Sequence, residues 1–135
     1  MKVVLDTNVL ISGIFFGGVP GKIVENWIKE YFFVYATPDI LDEYIRVINE
    51  LGFQNKALVS QWSSLLPNLC RLVPDRKTYY QICRDKEDNK FFFCALDSNA
   101  NYLITGDMDL KSITVHPKFR IVSPRHFLEE VSKSS

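Results

Sequence analysis

The chain has 135 residues, 47% hydrophobic and 24% charged, and its 16 basic and 16 acidic side chains leave no formal net charge at neutral pH. That balance fits an ordinary soluble globular chain able to bury a core, and it does not advertise a broadly basic nucleic-acid coat while leaving room for a local basic rim. Residues 1–6 are too short for a signal peptide, no apolar run spans a bilayer and no repeat or linker interrupts the chain, so residues 1–135 are expected to form one domain without a membrane segment.

Val3-Val4-Leu5 is apolar on both faces, as in a strand buried between two layers, and it stops at Asp6. A carboxylate at the end of such a strand sits where open α/β sheets bind ligands, and it is tolerated there only with a metal or hydrogen-bonding groups beside it. The plainer alternative is that Asp6 caps the next helix. Val9-Leu10-Ile11-Ser12 starts that helix, which is expected to break at Gly13 and again at Gly17-Gly18. Residues 17–22 imitate a phosphate loop, but Phe16 stands where glycine is required and Ile23 where Ser or Thr is, so the stretch reads as a turn with Pro20 near the next helix start. Ile23, Val24, Trp27 and Ile28 recur at helical spacing, with Trp27 as core, and residues 32–36 read as the second strand.

Thr37-Pro38 opens a third helix with threonine as cap and proline in the first turn; its apolar face is Ile40, Leu41, Tyr44, Ile45, Ile48 and Leu51, and Gly52 ends it. Asp42 and Glu43 share its early turns, where both could simply face water and favour the helix dipole. Residues 54–66 form a fourth helix expected to stop at Pro67, followed by a short strand over 69–73 and irregular chain over 74–80. In 84–90 acidic residues crowd the start of an apolar helix beginning Phe91-Phe92-Phe93-Cys94, which by itself is more often capping than chemistry. The cysteines, Cys70, Cys83 and Cys94, lie in apolar neighbourhoods without CxxC spacing and are expected to be reduced core thiols of a cytoplasmic protein. Residues 102–105 form a strand that stops at Gly106-Asp107-Met108-Asp109, the second buried strand to end in carboxylate; a last strand over 119–122 leads through Ser123-Pro124 into a helix carrying Phe127, Leu128 and Val131. Strands alternating with helices predict a three-layer α/β/α fold around a central, mostly parallel sheet.

The acids align by position. Asp6 and Asp107 each follow a strand, Glu43 sits on the helix after the second strand, and Asp88 opens the helix before the Asp107 strand, all toward the carboxyl edge of a parallel sheet. Four like charges crowded there need cations, and hard oxygen donors without a His or Cys set point to Mg²⁺ or Mn²⁺ rather than zinc. Such sites act on phosphate-bearing substrates, activating a water and stabilising the leaving oxygen.

The order and wording of VVLDTNVLIS (3–12), TPDILDEYIRVI (37–48), RDKEDNKFFFCAL (84–96), YLITGDMDL (102–110) and the closing IVSPRHFLEEV resemble the PIN domain, in particular the prokaryotic branch of VapC-like toxin components of toxin–antitoxin systems. The resemblance covers essentially the whole chain in the family's order. It implies a PIN-like fold and a metal-dependent ribonuclease cleaving single-stranded RNA or loops of structured RNA. The family's four acids fall on Asp6, Glu43 (favoured over Asp42), Asp88 and Asp107, with Asp109 as an accessory acid and Thr7, Asn8 and Thr105 at supporting polar positions. Asp85 matches an acid common in this branch or is a solvated turn residue, and this loop lacks the proline that more often follows that aspartate. A toxin reading also implies an antitoxin partner and a homodimer.

Lys22, Lys90, Lys111, Arg125 and His126 are candidates for holding the RNA backbone, although each taken individually is better explained as an ordinary surface charge. Phe15 or Phe16 could stack a base, although paired phenylalanines are mostly core. Three rivals stand beside the nuclease. A haloacid-dehalogenase-type phosphatase would match Asp6 and the Gly106-Asp107 pair but requires an acid where Asn8 stands. A response-regulator receiver requires an adjacent acid pair after the first strand. A catalytically inactive PIN-like binding module would have no reason to keep four mutually repelling carboxylates.

Overall fold

A computed structural model describes residues 1–77, 86–107 and 118–134. Among these, five parallel strands form one sheet: β1 (Lys2–Leu5), β2 (Phe33–Ala36), β3 (Arg71–Leu72), β4 (Tyr102–Ile104) and β5 (Arg120–Val122), in the order β3-β2-β1-β4-β5. Val3 is in register with Val34 on one side and Tyr102 on the other, and Leu5 with Ile104. Val3, Val4 and Leu5 are fully buried, which explains why the central strand is apolar on both faces. The chain winds outward from β1 to β3, then returns to the opposite side of β1 for β4 and β5. The reversal therefore opens a crevice between the carboxyl ends of β1 and β4.

The helices are α1 (Thr7–Phe15), α2 (Gly18–Ile28), α3 (Pro38–Leu51), α4 (Lys56–Leu69), α5 (Asn89–Asp97) and α6 (Pro124–Ser134), a short 3-10 turn over Lys86–Asp88 preceding α5. The three-layer α/β/α architecture is the one expected. Ile40, Tyr44 and Ile48 of α3 are fully buried, and Trp27 meets Trp62 with ring centroids 6.3 Å apart, so Trp27 is core. Phe127 of α6 meets Phe32 and Tyr102 edge-on at 5.2 and 5.3 Å, fixing the last helix to the sheet.

Several local expectations are corrected. Gly13 does not break α1: a Cβ there would lie 2.5 Å from Val24 Cγ2 and 2.7 Å from the Pro20 carbonyl oxygen, so the glycine permits α1 and α2 to touch. Its entropic cost of about 1 kcal/mol within a helix is offset by that close packing. Pro67 does not stop α4, which runs on to Leu69 and closes with Cys70 N–H donating to the Leu66 carbonyl at 2.9 Å. In the last turn the proline removes one helical hydrogen bond with little helix left to disrupt. Ile28, the last residue of α2, and Leu51, the last of α3, are exposed despite their apolar spacing, and β3 is shorter than the strand expected over 69–73.

Cys70 and Cys94 are buried and free, and burial pushes both thiols up to about 12, so they are inert core thiols as expected; Cys83 lies outside the described residues. At pH 8 they should carry roughly a thousandfold less thiolate than an exposed cysteine. In a Cys83→Ser background, reaction with a chromogenic disulfide reagent should stay slow until denaturant unfolds the chain. Fast reaction of the native protein would contradict their burial. Among the described residues no single helix is long and apolar enough to cross a membrane.

Candidate functional site

The crevice between β1 and β4 is built by the two strand ends. Asp6 follows β1, its N–H donating to the Ile104 carbonyl of β4 at 3.0 Å, while its own carbonyl accepts from Val9 and Leu10 to start α1. Its side chain accepts from the Asn8 N–H at 3.3 Å, so Asp6 is the N-cap of α1, and the capping and ligand readings coexist in one residue. The second carboxylate oxygen accepts from the Thr105 hydroxyl at 2.7 Å. Thr105 follows β4, is fully buried, and its hydroxyl oxygen accepts the Asp107 N–H at 2.9 Å. A single threonine thus ties both strand-end acids into one frame.

α3 brings the third acid. Thr37 caps it, accepting the Ile40 N–H at 3.2 Å, and Tyr44, fully buried, donates its hydroxyl to the Leu5 carbonyl immediately before Asp6. One residue earlier on α3, Glu43 is half-buried while Asp42 is exposed, which separates two acids that share a helical turn in the sequence. One Glu43 oxygen accepts from the Thr7 hydroxyl, and the other receives the Lys90 ammonium at 2.5 Å. Asp88 ends the 3-10 turn and leads into α5, half-buried, with its Oδ2 shut off from solvent; Lys90, two residues on, reaches across to Glu43.

The electrostatics follow from this crowding. Burial pushes the Asp6 carboxyl above its ordinary value; hydrogen bonds from Thr105 and Asn8 pull it back, and the negative charges of Asp107 and Glu43 push it up again. Asp107 and Glu43 therefore both bear on Asp6, while Asp88 stands at the start of α5. Their donor set is oxygen only, which suits a hard divalent cation. Asp6, where burial and two neighbouring charges act together, is where such a charge would be most favourable. Among the described residues no three Asp, Glu, His or Cys side chains converge tightly enough to hold one ion, so the fit centres on the strand-end pair Asp6 and Asp107.

The remaining candidates divide. Asn8 is exposed, acting here through its backbone, and Thr7 is buried against Glu43. Lys22 and Arg125 are not buried, and His126 is exposed beside Glu130. Lys90 is corrected: far from standing at the surface, its side chain is only 12% exposed and points into the acidic cluster. Phe15 is half-buried, whereas Phe16 is 82% exposed and is not core. Asp85, Asp109 and Lys111 lie outside the described residues. Sequence reasoning missed the Tyr44–Leu5 and Lys90–Glu43 contacts; a lysine two residues after a helix-opening acid was the available signal for the second.

Thr105→Val keeps the shape but removes both hydroxyl contacts. It should cost about 1–3 kcal/mol, as expected when buried polar groups lose their hydrogen bonds. Guanidinium unfolding of the two proteins measures it, and an unchanged midpoint would show that the threonine frame contributes nothing to stability.

A family model described as PIN domain matches residues 2–109. The uncharacterized protein MJ1680 of Methanocaldococcus jannaschii is 33% identical over 150 residues, covering 98% of this chain and 93% of that protein. In structure the chain resembles VapBC2 from Rickettsia felis, solved bound to a DNA fragment from its promoter, with a TM-score of 0.62 at 13% identity over 91% of this chain and 98% of that one. It also resembles PAE2754 from Pyrobaculum aerophilum, with a TM-score of 0.64 at 14% identity over 98% and 90% of the two chains.

Proposed function

Because the chain belongs to the PIN-domain family, we propose that it is a divalent-metal-dependent endoribonuclease, hydrolysing RNA phosphodiester bonds at the β1–β4 crevice. The observation that carries this reading is the Asp6 carboxyl, held by Thr105 and Asn8 and pushed up first by its burial and then by the charges of Asp107 and Glu43. A buried acid facing two others is tolerable in its charged form when a cation neutralises it.

Asp6 and Asp107 would hold Mg²⁺ or Mn²⁺, with Glu43 and Asp88 as the remaining acids around that pair. When bound, the ion supplies positive charge against the scissile phosphate and acidifies the attacking water. The chain's own groups do the rest. The Thr105 hydroxyl fixes the Asp6 carboxylate and, through the Asp107 N–H, the turn after β4. Thr7 and Lys90 hold Glu43 in one orientation, and Tyr44 anchors the end of β1. Preset side chains of this kind need no rearrangement as charge develops.

The substrate would be single-stranded RNA or loops of structured RNA, with Lys22 and Arg125, both reachable from solvent, available to backbone phosphates. A toxin role, with an antitoxin protein that masks the acidic crevice and a homodimeric assembly, completes the proposal, in keeping with the resemblance to VapC-like toxins. Residues 1–135 would act as one PIN-like domain in the cytoplasm.

The test is incubation of end-labelled single-stranded RNA with the purified chain in Mn²⁺, in Mg²⁺ and in EDTA. Cleavage with either ion and none in EDTA is expected. Equal cleavage in EDTA, or none in any condition, would contradict the proposal.

A further inference from the structure

We infer that Lys90 is a resident cation of the acidic site: its ammonium group occupies Glu43, so that Glu43 serves as a fixed neighbour rather than a metal ligand and the site seats one divalent ion on Asp6 and Asp107. This rests on the metal-dependent reading above and makes it more specific.

The geometry is that of a built ion pair, not a surface contact. The Lys90 side chain is 12% exposed and the Glu43 side chain 15%, with 2.5 Å between Nζ and Oε1. The second Glu43 oxygen is taken by the hydroxyl of Thr7, the residue next to Asp6. Asp39 and Glu87 also approach the ammonium, each at 3.9 Å, but their side chains are 58% and 80% exposed and screened by water, so Glu43 is the dominant counter-charge. An ammonium this enclosed is costly unless paired, and its pairing leaves both Glu43 oxygens already accepting hydrogen bonds. The same arrangement fits the finding that, among the described residues, no three acids converge into an ion-holding group although Asp6 feels the charges of both Asp107 and Glu43. Lys90 holds Glu43 back from such a group.

Lys90 is thus a positioning residue, and its removal should alter ion binding as well as rate. The full chain, its Lys90→Met and Lys90→Arg variants, and the Lys90→Met/Glu43→Gln double variant are titrated calorimetrically with Mn²⁺ and unfolded thermally in EDTA. Wild type is expected to bind one Mn²⁺. Lys90→Met should unfold several degrees lower in EDTA and bind Mn²⁺ about tenfold tighter, or bind a second ion, because a freed carboxylate joins the set. Lys90→Arg, which keeps the charge, should resemble wild type. The Lys90→Met/Glu43→Gln double variant, which removes both charges of the pair together, should bind Mn²⁺ within about threefold of wild type, since a neutral pair outside the ligand shell changes affinity only modestly.

Unchanged Mn²⁺ affinity and stoichiometry in Lys90→Met would overturn the inference while leaving the nuclease reading intact. So would a loss of tenfold or more in the double variant, which decides the matter even where Lys90→Met alone does not fold. Where Lys90→Met folds only in the double variant, removal of its charged counterpart is the rescue the ion pair requires. Failure of the wild type itself to bind Mn²⁺ would overturn both proposals together.

Discussion

Asp6→Asn is expected to lose at least about a hundredfold of RNA cleavage in Mn²⁺ while unfolding at a higher temperature than wild type in EDTA. The two effects share one cause. The Asp6 carboxyl is raised above its ordinary value by burial first and then by Asp107 and Glu43, so its charged form works against the fold in the absence of a cation. An acid whose pKa is higher folded than unfolded makes the folded state bind more protons across the interval between the two values. Stability from this group therefore falls as pH rises through that interval, and the full penalty is present above the folded value. It is relieved as pH drops below the unfolded value. The substituted amide would be neutral at every pH, removing the penalty at neutral pH, with a gain of about 1 kcal/mol for each unit of upward shift, or roughly 3–5 °C. Thermal scans in EDTA at neutral and mildly acid pH measure this, and the difference between the two proteins should shrink toward low pH. A constant difference at all pH values would place its cause outside Asp6 ionisation.

Phe93→Ala should lower stability by about 3–5 kcal/mol, the cost of emptying a buried aromatic site. Phe93 is 1% exposed, stands edge-on to Phe92 with centroids 5.5 Å apart, and carries the Arg76 guanidinium 4.2 Å from its ring centroid. Arg76 is itself locked to Asp97 by two hydrogen bonds of 2.7 and 2.6 Å, so the ring is closed in from the α5 end as well as from the sheet. α5 carries Lys90 one turn earlier and follows directly on Asp88. A shifted α5 should therefore weaken cleavage even at temperatures where the variant remains folded. Guanidinium unfolding gives the first effect and RNA cleavage well below the midpoint gives the second. A loss under about 1 kcal/mol would mean that the ring is not a core element.

Much of this arrangement was legible in the chain because strand ends are. Val3-Val4-Leu5 running into Asp6, and residues 102–104 running through Thr105 to Asp107, announce two buried strands whose carboxyl ends carry acid. Parallel pairing then brings those ends together at the point where the winding reverses. The third acid was less readable. Asp42 and Glu43 are neighbours on one helix, and only the Thr7 hydroxyl and the Lys90 ammonium, 36 and 47 positions away in the chain, distinguish them. No local pattern encodes such contacts. Pro67 and Gly13 misled for the opposite reason: both weaken helices intrinsically, yet one lies in a last turn and the other meets Val24 and Pro20 too closely for any side chain.

The rival chemistries meet the structure at Asn8. A phosphatase of the haloacid-dehalogenase type needs a second acid there, and a receiver domain needs an acid pair beside this strand. Asn8 is instead exposed and serves Asp6 through its backbone N–H. Thr105, not a second acid on the same loop, is what aligns the crevice.

The most direct test is the anomalous diffraction of Mn²⁺ soaked into crystals of the chain. A single strong peak at about 2.0–2.4 Å from carboxylate oxygens of both Asp6 and Asp107 is expected, the distance of a hard divalent ion from oxygen. A peak bound elsewhere on the chain, or none at that pair under saturating Mn²⁺, would contradict the account.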